Sequence, residues 1–285
     1  MSYRSILVCL DDPAVAESVL NVASGIAAEH QAHLTAAYVV PPLAEYTALD
    51  LPVPQIAVDG FLGLHKKRAS AIEKVFQQQT AGQNYTAEWR FIDTCAQPVD
   101  EAFGTMGNAF DLVVIGAGNT GQNAGRQHGI PDKVILSCSR PVLIVPSNTS
   151  ESVSFNRVLI AYDQGIQSSR AIFNAMPVLQ RAGSVTLQRI NPKSEEQAYL
   201  LDQSDEILST LARHDVVAEI VYSNAREGLF HQDEIGTELL DIANDYGADM
   251  LIMGAYSHNR LGQQVLGGTT RTILDNMNLP VMMCH

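Results

Sequence analysis

Short, continuously apolar runs alternate with longer amphipathic runs along the whole chain. Leu112–Ile115 is one apolar run, a pattern typical of a strand buried on both faces of a parallel sheet. Val15, Val19 and Val22 recur at helical spacing and predict one buried helix face. The apolar runs predict ten strands, at residues 4–10, 33–40, 86–92, 111–116, 141–145, 156–162, 184–190, 216–222, 249–254 and 280–284.

The alternation of strands with helices predicts the fold class. A strand that is followed by a helix and then a parallel strand forms a right-handed crossover, so the chain is expected to be an α/β protein. Residues 41–60 depart from the alternation, since they contain four of the twelve prolines and little periodicity. They predict a long loop after the second strand.

The strand pattern occurs twice. Three blocks repeat in the same order at an offset of roughly 140 to 150 positions, too long for a solenoid repeat and typical of a duplicated domain. The pairs are Ser5–Asp11 with Arg157–Asp163, Asp111–Gly116 with Asp249–Gly254, and Pro141–Val145 with Pro280–Cys284.

Each repeat has the usual length of a domain with its own core. We expect two tandem open five-stranded parallel-sheet domains with helices on both faces, at residues 1–147 and 153–285. The polar segment 147–152 is predicted to be a linker, and it is too short to let the domains separate far.

Composition and net charge exclude two classes of protein. Hydrophobic residues make up 46% of the chain and charged residues 17%, which excludes a disordered protein. The net charge is −13, both halves are acidic and no basic stripe occurs, so nucleic acid is excluded as a partner. A local phosphate site remains compatible with this charge, because backbone amides bind phosphate without net positive charge.

The chain is expected to be cytoplasmic and to have no membrane partner. No apolar run approaches the ~18 residues that span a bilayer, and Ile6–Leu10 is too short for a signal-peptide core. The cysteines at positions 9, 95, 138 and 284 have no CxxC spacing. They are expected to be free packing residues, and no metal site is predicted.

Candidate ligand residues follow the strands. In open α/β sheets, ligands bind outside the carboxyl ends of the strands, where the strand order reverses. Candidates at those ends are Asp11 and Asp163 after the first strands, Val39 and Ile190 near the ends of the second, and Gly116 and Gly254 closing the fourth. Gly267 and Gly268 then open the last helix of the second repeat, where free amides and the helix dipole favour phosphate.

This spacing resembles the nucleotide signature of the universal stress protein family, specifically its tandem two-domain members. The signature is Gly-x-x-Gly, nine residues, then Gly-Ser or Gly-Thr, with a Pro-Val strand thirteen residues after the last glycine. Gly254 matches the first glycine, Gly267 the third, and Pro280 follows thirteen residues later. Ser257 replaces the second glycine, and Gly268 replaces the Ser or Thr. The resemblance covers essentially the whole chain.

The resemblance implies an adenine nucleotide alpha-hydrolase-like fold and an adenine nucleotide, ATP first, in the second domain. Mg²⁺ is then expected only as a companion of ATP. Asp163 would contact the nucleoside and the backbone of Ile190 would contact adenine. The implied site residues are Asp163, Ile190, Gly254, Ser257, Gly267, Gly268, Thr269 and Thr270.

The first domain carries a weaker version of the motif. One residue is lost before Pro141, and Ile130-Pro131 replaces the hydroxyl pair. Its weaker candidates are Asp11, Val39, Gly116 and Gly129. Two simpler roles stay open in both domains: the aspartates could only cap helices, and the strand-end glycines could only serve tight turns.

No catalytic residue is predicted, because the chain has no Walker A motif, nucleophile elbow or paired carboxylates at useful spacing. The expected function is a stress-response protein that binds a nucleotide, protein partners or both, without turnover. The alternatives are a slow ATP hydrolase in the second domain and a ligand-free interaction module with decayed sites. The resemblance also implies that strands 142–145 and 281–284 pair within the chain as a pseudo-dimer, and it is compatible with a further homodimer.

Overall fold

A computed structural model describes the chain in segments: residues 2–43, 53–94, 97–118, 129–147, 149, 155–190, 197–223, 232–256 and 268–285, with the side chains of 197–203 and 232–234 left out. The chain divides into two compact units, residues 2–153 and residues 154–285. Among the described helices, none is long and apolar enough to cross a bilayer.

The first unit is a five-stranded parallel sheet with the strand order β3-β2-β1-β4-β5. Helices α1 and α2 pack together, and so do α3 and α4, as expected for right-handed crossovers that leave β1 in both directions. The elements are β1 (Ser5–Cys9), α1 (Pro13–His30), β2 (His33–Val40), α2 (Gln55–Thr80), β3 (Ala87–Asp93), α3 (Val99–Gly107), β4 (Leu112–Gly116), α4 (Ile130–Ser137) and β5 (Val142–Val145).

The second unit repeats this topology with the order β8-β7-β6-β9-β10. Its elements are β6 (Arg157–Ala161), α5 (Ile166–Asn174), α6 (Met176–Leu179), β7 (Ser184–Ile190), α7 (Gln197–Arg213), β8 (Ala218–Ser223), α8 (Gln232–Tyr246), β9 (Met250–Gly254), α9 (Gly268–Asn276) and β10 (Val281–Cys284). The predicted α/β class and all ten predicted strands are confirmed.

Burial explains why the strands could be recognised. Residues Leu112–Ile115 of β4 are at most 1% exposed, because helices cover both faces of the sheet. The predicted loop at residues 41–60 is wrong at its end, since α2 begins at Gln55. The buried residues of α2 begin only at His65, so its first turns carry no apolar periodicity.

A glycine fixes the position of the last helix of the second unit. A Cβ atom on Gly236 of α8 would lie 2.8 Å from Cβ of Thr272 and 3.0 Å from the carbonyl oxygen of Thr269, both on α9. In the first unit, Gly104 of α3 makes a close contact with Ser137, the last residue of α4. A glycine thus allows the last helix to approach its neighbour at its start in the second unit and at its end in the first.

The strand order reverses next to β6. The chain runs from β6 to β7 and β8 in one direction and then returns across the sheet to β9. The crevice predicted for ligands therefore lies at the carboxyl ends of β6 and β9. Because α9 leads from β9 back to the start of the parallel strand β10, its N-terminus lies at this same carboxyl edge.

Candidate functional site

Three predicted site residues lie together at the carboxyl edge of the second unit. Ala161 of β6 is in register with Gln188 of β7 and with Met253 of β9. Asp163, Ile190 and Gly254 follow these three positions by one or two residues. Ser257 and Gly267 lie outside the described residues.

Asp163 forms hydrogen bonds to the start of helix α5. Its Oδ1 accepts a hydrogen bond from the Gly165 amide at 2.8 Å and another from the Ser168 hydroxyl at 2.6 Å. The N-cap residue of α5 is Gly165, which lies two residues further on, so the cap interpretation is wrong for Asp163. No hydrogen bond joins Oδ2 to a described residue, and the side chain is exposed. A second role for the same carboxylate is thus compatible with the hydrogen bonds of Oδ1.

Two residues at this edge hold unfavourable backbone conformations. Gln164 has a φ of 63° and Tyr256 a φ of 59°, both in the left-handed region. For residues with a Cβ atom this region costs about 1–2 kcal/mol, and such residues concentrate at functional sites. Gln164 directly follows Asp163, and Tyr256 lies two residues after Gly254.

The packing of α5 against β9 explains why position 254 is a glycine. A Cβ atom there would lie 2.5 Å from the Ser168 amide nitrogen and 2.7 Å from the Gln167 carbonyl carbon, both in the first turn of α5. Backbone atoms cannot move aside as a side-chain end can. The close approach of α5 to β9 therefore requires glycine at this position, whether or not a nucleotide binds.

The first turn of α9 holds the remaining predicted residues. Gly268 begins the helix, Thr269 is partly exposed and Thr270 is 3% exposed. No acidic residue occurs in this turn. The first amides of a helix have no partner within the helix, so this turn presents donors to an anion at the carboxyl edge.

The corresponding helix of the first unit is less suited to an anion. Helix α4 begins at Ile130, has Pro131 in its first positions and carries the buried Asp132 in its first turn. Proline removes an amide donor, and the aspartate places negative charge at the positive end of the helix dipole. Gly129 is the N-cap residue of α4, and Val39 is buried at the end of β2.

The two strand-1 aspartates have different environments. In the first unit Asp12, not Asp11, caps the helix: Oδ1 of Asp12 accepts from the Ala14 amide at 2.9 Å. The cap interpretation is therefore wrong for Asp11. Burial raises the pKa of Asp11 to about 6 from 3.8, partly offset by hydrogen bonds from backbone amides. The equivalent positions have thus diverged in the duplicated chain.

The raised pKa of Asp11 predicts a pH dependence of stability. Between pH 3.8 and about 6, the folded protein holds a proton that the unfolded chain releases, so the free energy of unfolding falls as pH rises through this window. Each pKa unit corresponds to about 1.4 kcal/mol, and partial exposure reduces the effect. Asp11→Asn should therefore stabilise the protein by about 1–2 kcal/mol at pH 7 and flatten the profile.

Urea denaturation at several values between pH 4 and pH 7 would measure this effect. Parallel profiles for the wild type and Asp11→Asn, with no gain at pH 7, would contradict the prediction.

Sequence reasoning missed Arg189, which is 8% exposed although it carries a charge. The available signal was a charged residue inside a strand whose other residues are all uncharged, at the position of Tyr38 in the first repeat. Among the described residues, no group of three or more His, Cys, Asp or Glu side chains could hold a metal ion.

Comparison with known proteins decides the family. The universal stress protein family model matches residues 2–146 and 154–285, which is nearly the whole chain in two copies. The chain belongs to the universal stress protein family. The tandem organisation predicted from the repeat is thereby confirmed.

Relatives of this family show how far the likeness extends. A universal stress protein of Synechocystis sp. is 26% identical over 185 residues, which is 61% of this chain and 57% of that protein, so less than two thirds of the relative is matched. A solved universal stress protein of Archaeoglobus fulgidus matches with a TM-score of 0.75 at 15% identity, over 98% of this chain and 95% of that one. A universal stress protein solved in complex with cAMP matches only 53% of this chain, at 21% identity and a TM-score of 0.39.

Proposed function

We propose that this universal stress protein binds an adenine nucleotide, ATP first, in its second unit. The observation that carries the proposal is the contrast between the two last helices. The first turn of α9 is free of proline and acidic residues, whereas α4 has Pro131 and Asp132 in the same turn. An anion is therefore favoured at the second carboxyl edge and disfavoured at the first.

Each described part of the edge has a chemical role in this proposal. Oδ2 of Asp163 accepts a hydrogen bond from a ribose hydroxyl, while Oδ1 keeps its hydrogen bonds to Gly165 and Ser168. The backbone of Ile190, at the end of β7, contacts the adenine edge. The amides of Gly268 and Thr269 donate to phosphate oxygens. Mg²⁺ would accompany ATP and shield the phosphate charge in an acidic protein.

The wider function remains a prediction. Stress response, protein partners and pairing of the two fifth strands rest on the resemblance, and a cytoplasmic location rests on the short apolar runs of the sequence.

Calorimetry with ATP and a pair of matched glycine variants test the site. Gly267→Val should abolish ATP binding, because the side chain fills the approach to the first turn of the last helix. Gly129→Val is the control in the first unit and should leave binding unchanged. It should also fold, since among the described residues the nearest atom to a Cβ there is Cε of Lys133 at 3.9 Å.

Two results would contradict the proposal. Loss of binding in Gly129→Val but not in Gly267→Val would place the nucleotide site in the first unit. Absence of both copurifying nucleotide in mass spectrometry and binding heat in calorimetry would favour the ligand-free module. A third result, steady release of phosphate from ATP that Gly267→Val removes, would keep the site and favour the hydrolase.

A further inference from the structure

The second unit encloses a cation for which the described residues offer no partner. Arg189 of β7 is 8% exposed, and its Nη1 atom is fully buried without a hydrogen bond. No ion pair joins this guanidinium to a described carboxylate. A buried charge without a partner is strongly unfavourable, so a compensating anion is expected beside it.

The neighbours of Arg189 along the sheet are two tyrosines. Arg189 is in register with Tyr222 of β8, and Tyr162 follows β6 on the other side. We call these three residues the Arg189 cluster. The Tyr222 hydroxyl lies 2.8 Å from Oγ of Ser204 on α7, while the Tyr162 hydroxyl has no hydrogen bond to a described residue.

The tyrosines do not supply the missing negative charge. Burial raises the pKa of Tyr162 above 10.0, although the positive charge of Arg189 opposes this shift. Near neutral pH the Tyr162 hydroxyl is therefore protonated and can donate a hydrogen bond. The cluster is rich in donors. The negative charge of Asp163 acts on Tyr162, but no described carboxylate accepts a hydrogen bond from the cluster.

In the first unit, the three positions equivalent to the Arg189 cluster carry no charge. Leu10, Tyr38 and Phe91 stand there, and the rings of Tyr38 and Phe91 stack at 6.1 Å with an angle of 3°. The Tyr38 hydroxyl lies 2.6 Å from Nδ1 of His65. Since neutral residues complete this part of the fold in the first unit, the fold itself does not require a cation at Arg189.

The Arg189 cluster adjoins the proposed nucleotide site. Arg189 directly precedes Ile190, and Tyr162 directly precedes Asp163. On the opposite face of β7, the buried Gln188 donates to Oγ of Ser223 at 2.9 Å. The first unit has Ala37 and Ile92 at the two equivalent positions. Donor groups have thus replaced apolar ones around this end of β7.

We propose that Arg189 binds an oxyanion, a phosphate or carboxylate group, at the carboxyl edge of the second unit. The planar guanidinium donates parallel hydrogen bonds to two oxygens, and Tyr162 donates a further one. This inference rests partly on the proposed function, because the oxyanion belongs either to the nucleotide or to a separate small anion beside it.

Thermal melting of the full chain with Arg189→Met tests the first half of the proposal. Without ligand, the variant should melt above the wild type, because a methionine of similar length removes a buried charge that has no partner. A variant that melts below the wild type, or that fails to fold, would show that Arg189 is already paired within the chain. That result would overturn the inference.

Titrations with ATP, inorganic phosphate and acetate at constant ionic strength test the second half. At least one of these ligands should raise the melting temperature of the wild type. The same ligand should bind Arg189→Met at least tenfold more weakly than it binds the wild type. Arg189→Lys keeps the charge but loses the planar guanidinium, so its affinity for the ligand should lie between those of the wild type and Arg189→Met. Tyr38→Phe, the equivalent position in the first unit, should respond like the wild type.

The three titrations distinguish this inference from the proposed function. If ATP stabilises the wild type and Arg189→Met equally, and phosphate and acetate act on neither, the inference is wrong and the nucleotide site stands. If phosphate or acetate acts through Arg189 and ATP has no effect, the inference holds and the nucleotide proposal is wrong. If none of the three ligands acts on the wild type, the inference is wrong.

Discussion

Gly254→Ala is expected to lower the free energy of unfolding of the second unit by about 2–3 kcal/mol. The added methyl group would meet backbone atoms of Gln167 and Ser168 at 2.5–2.7 Å, well inside van der Waals contact. Helix α5 must therefore move away from β9, which weakens the packing of both elements. Urea denaturation measures the loss, and hydrogen exchange should show faster opening of α5.

Gly116→Ala in the first unit is the matched control. A Cβ atom there would meet side-chain ends, with Cγ2 of Val15 at 3.0 Å and Cγ2 of Val19 at 3.3 Å. Side-chain ends adjust at a small cost, so the loss should stay below about 1 kcal/mol. An equal or larger loss at Gly116 would contradict the packing explanation for Gly254.

Asp163→Ala is expected to have two separate effects. The hydrogen bonds from Gly165 and Ser168 to Oδ1 are lost, which lowers the free energy of unfolding by about 1 kcal/mol. The acceptor for a ribose hydroxyl is also lost, which weakens ATP binding by about 1–3 kcal/mol, or roughly 5- to 150-fold. Melting curves measure the first effect, and calorimetry with ATP measures the second.

Two further variants separate the effects. Asp163→Asn keeps a carbonyl oxygen for Gly165 and Ser168 but replaces Oδ2 by a donor, so stability should be kept and affinity lost. Ser168→Ala removes the 2.6 Å hydrogen bond to Oδ1 and leaves Oδ2 intact, so stability should fall and affinity be kept. If Asp163→Asn binds ATP like the wild type, Asp163 serves only to hold the start of α5.

The sequence was sufficient for the fold because the relevant signals are local or repeated. A run such as Leu112–Ile115 identifies a strand buried on both faces without knowledge of its neighbours. The repeat fixed the number of domains, and the spacing of Gly254, Gly267 and Pro280 indicated the family. The same spacing predicted which domain keeps the better motif, and that assignment awaits the glycine variants.

The start of α2 marks the limit of the local signal. Residues 55–64 are helical in the structure, yet none of them is buried. A helix turn that contacts no core has no reason to show apolar periodicity, so the sequence alone placed it in a loop.

The tertiary structure decided the roles of the individual site residues. Asp11 and Asp12 both follow β1, and only the backbone geometry selects Asp12 as the cap and leaves Asp11 partly buried. The reason for Gly254 depends on α5, which is distant in sequence. In the sequence Arg189 is an ordinary charged residue, because its tyrosine neighbours come from the pairing of β7 with β6 and β8. Such roles depend on which atoms meet across the sheet, and that information exists only once the strands are in register.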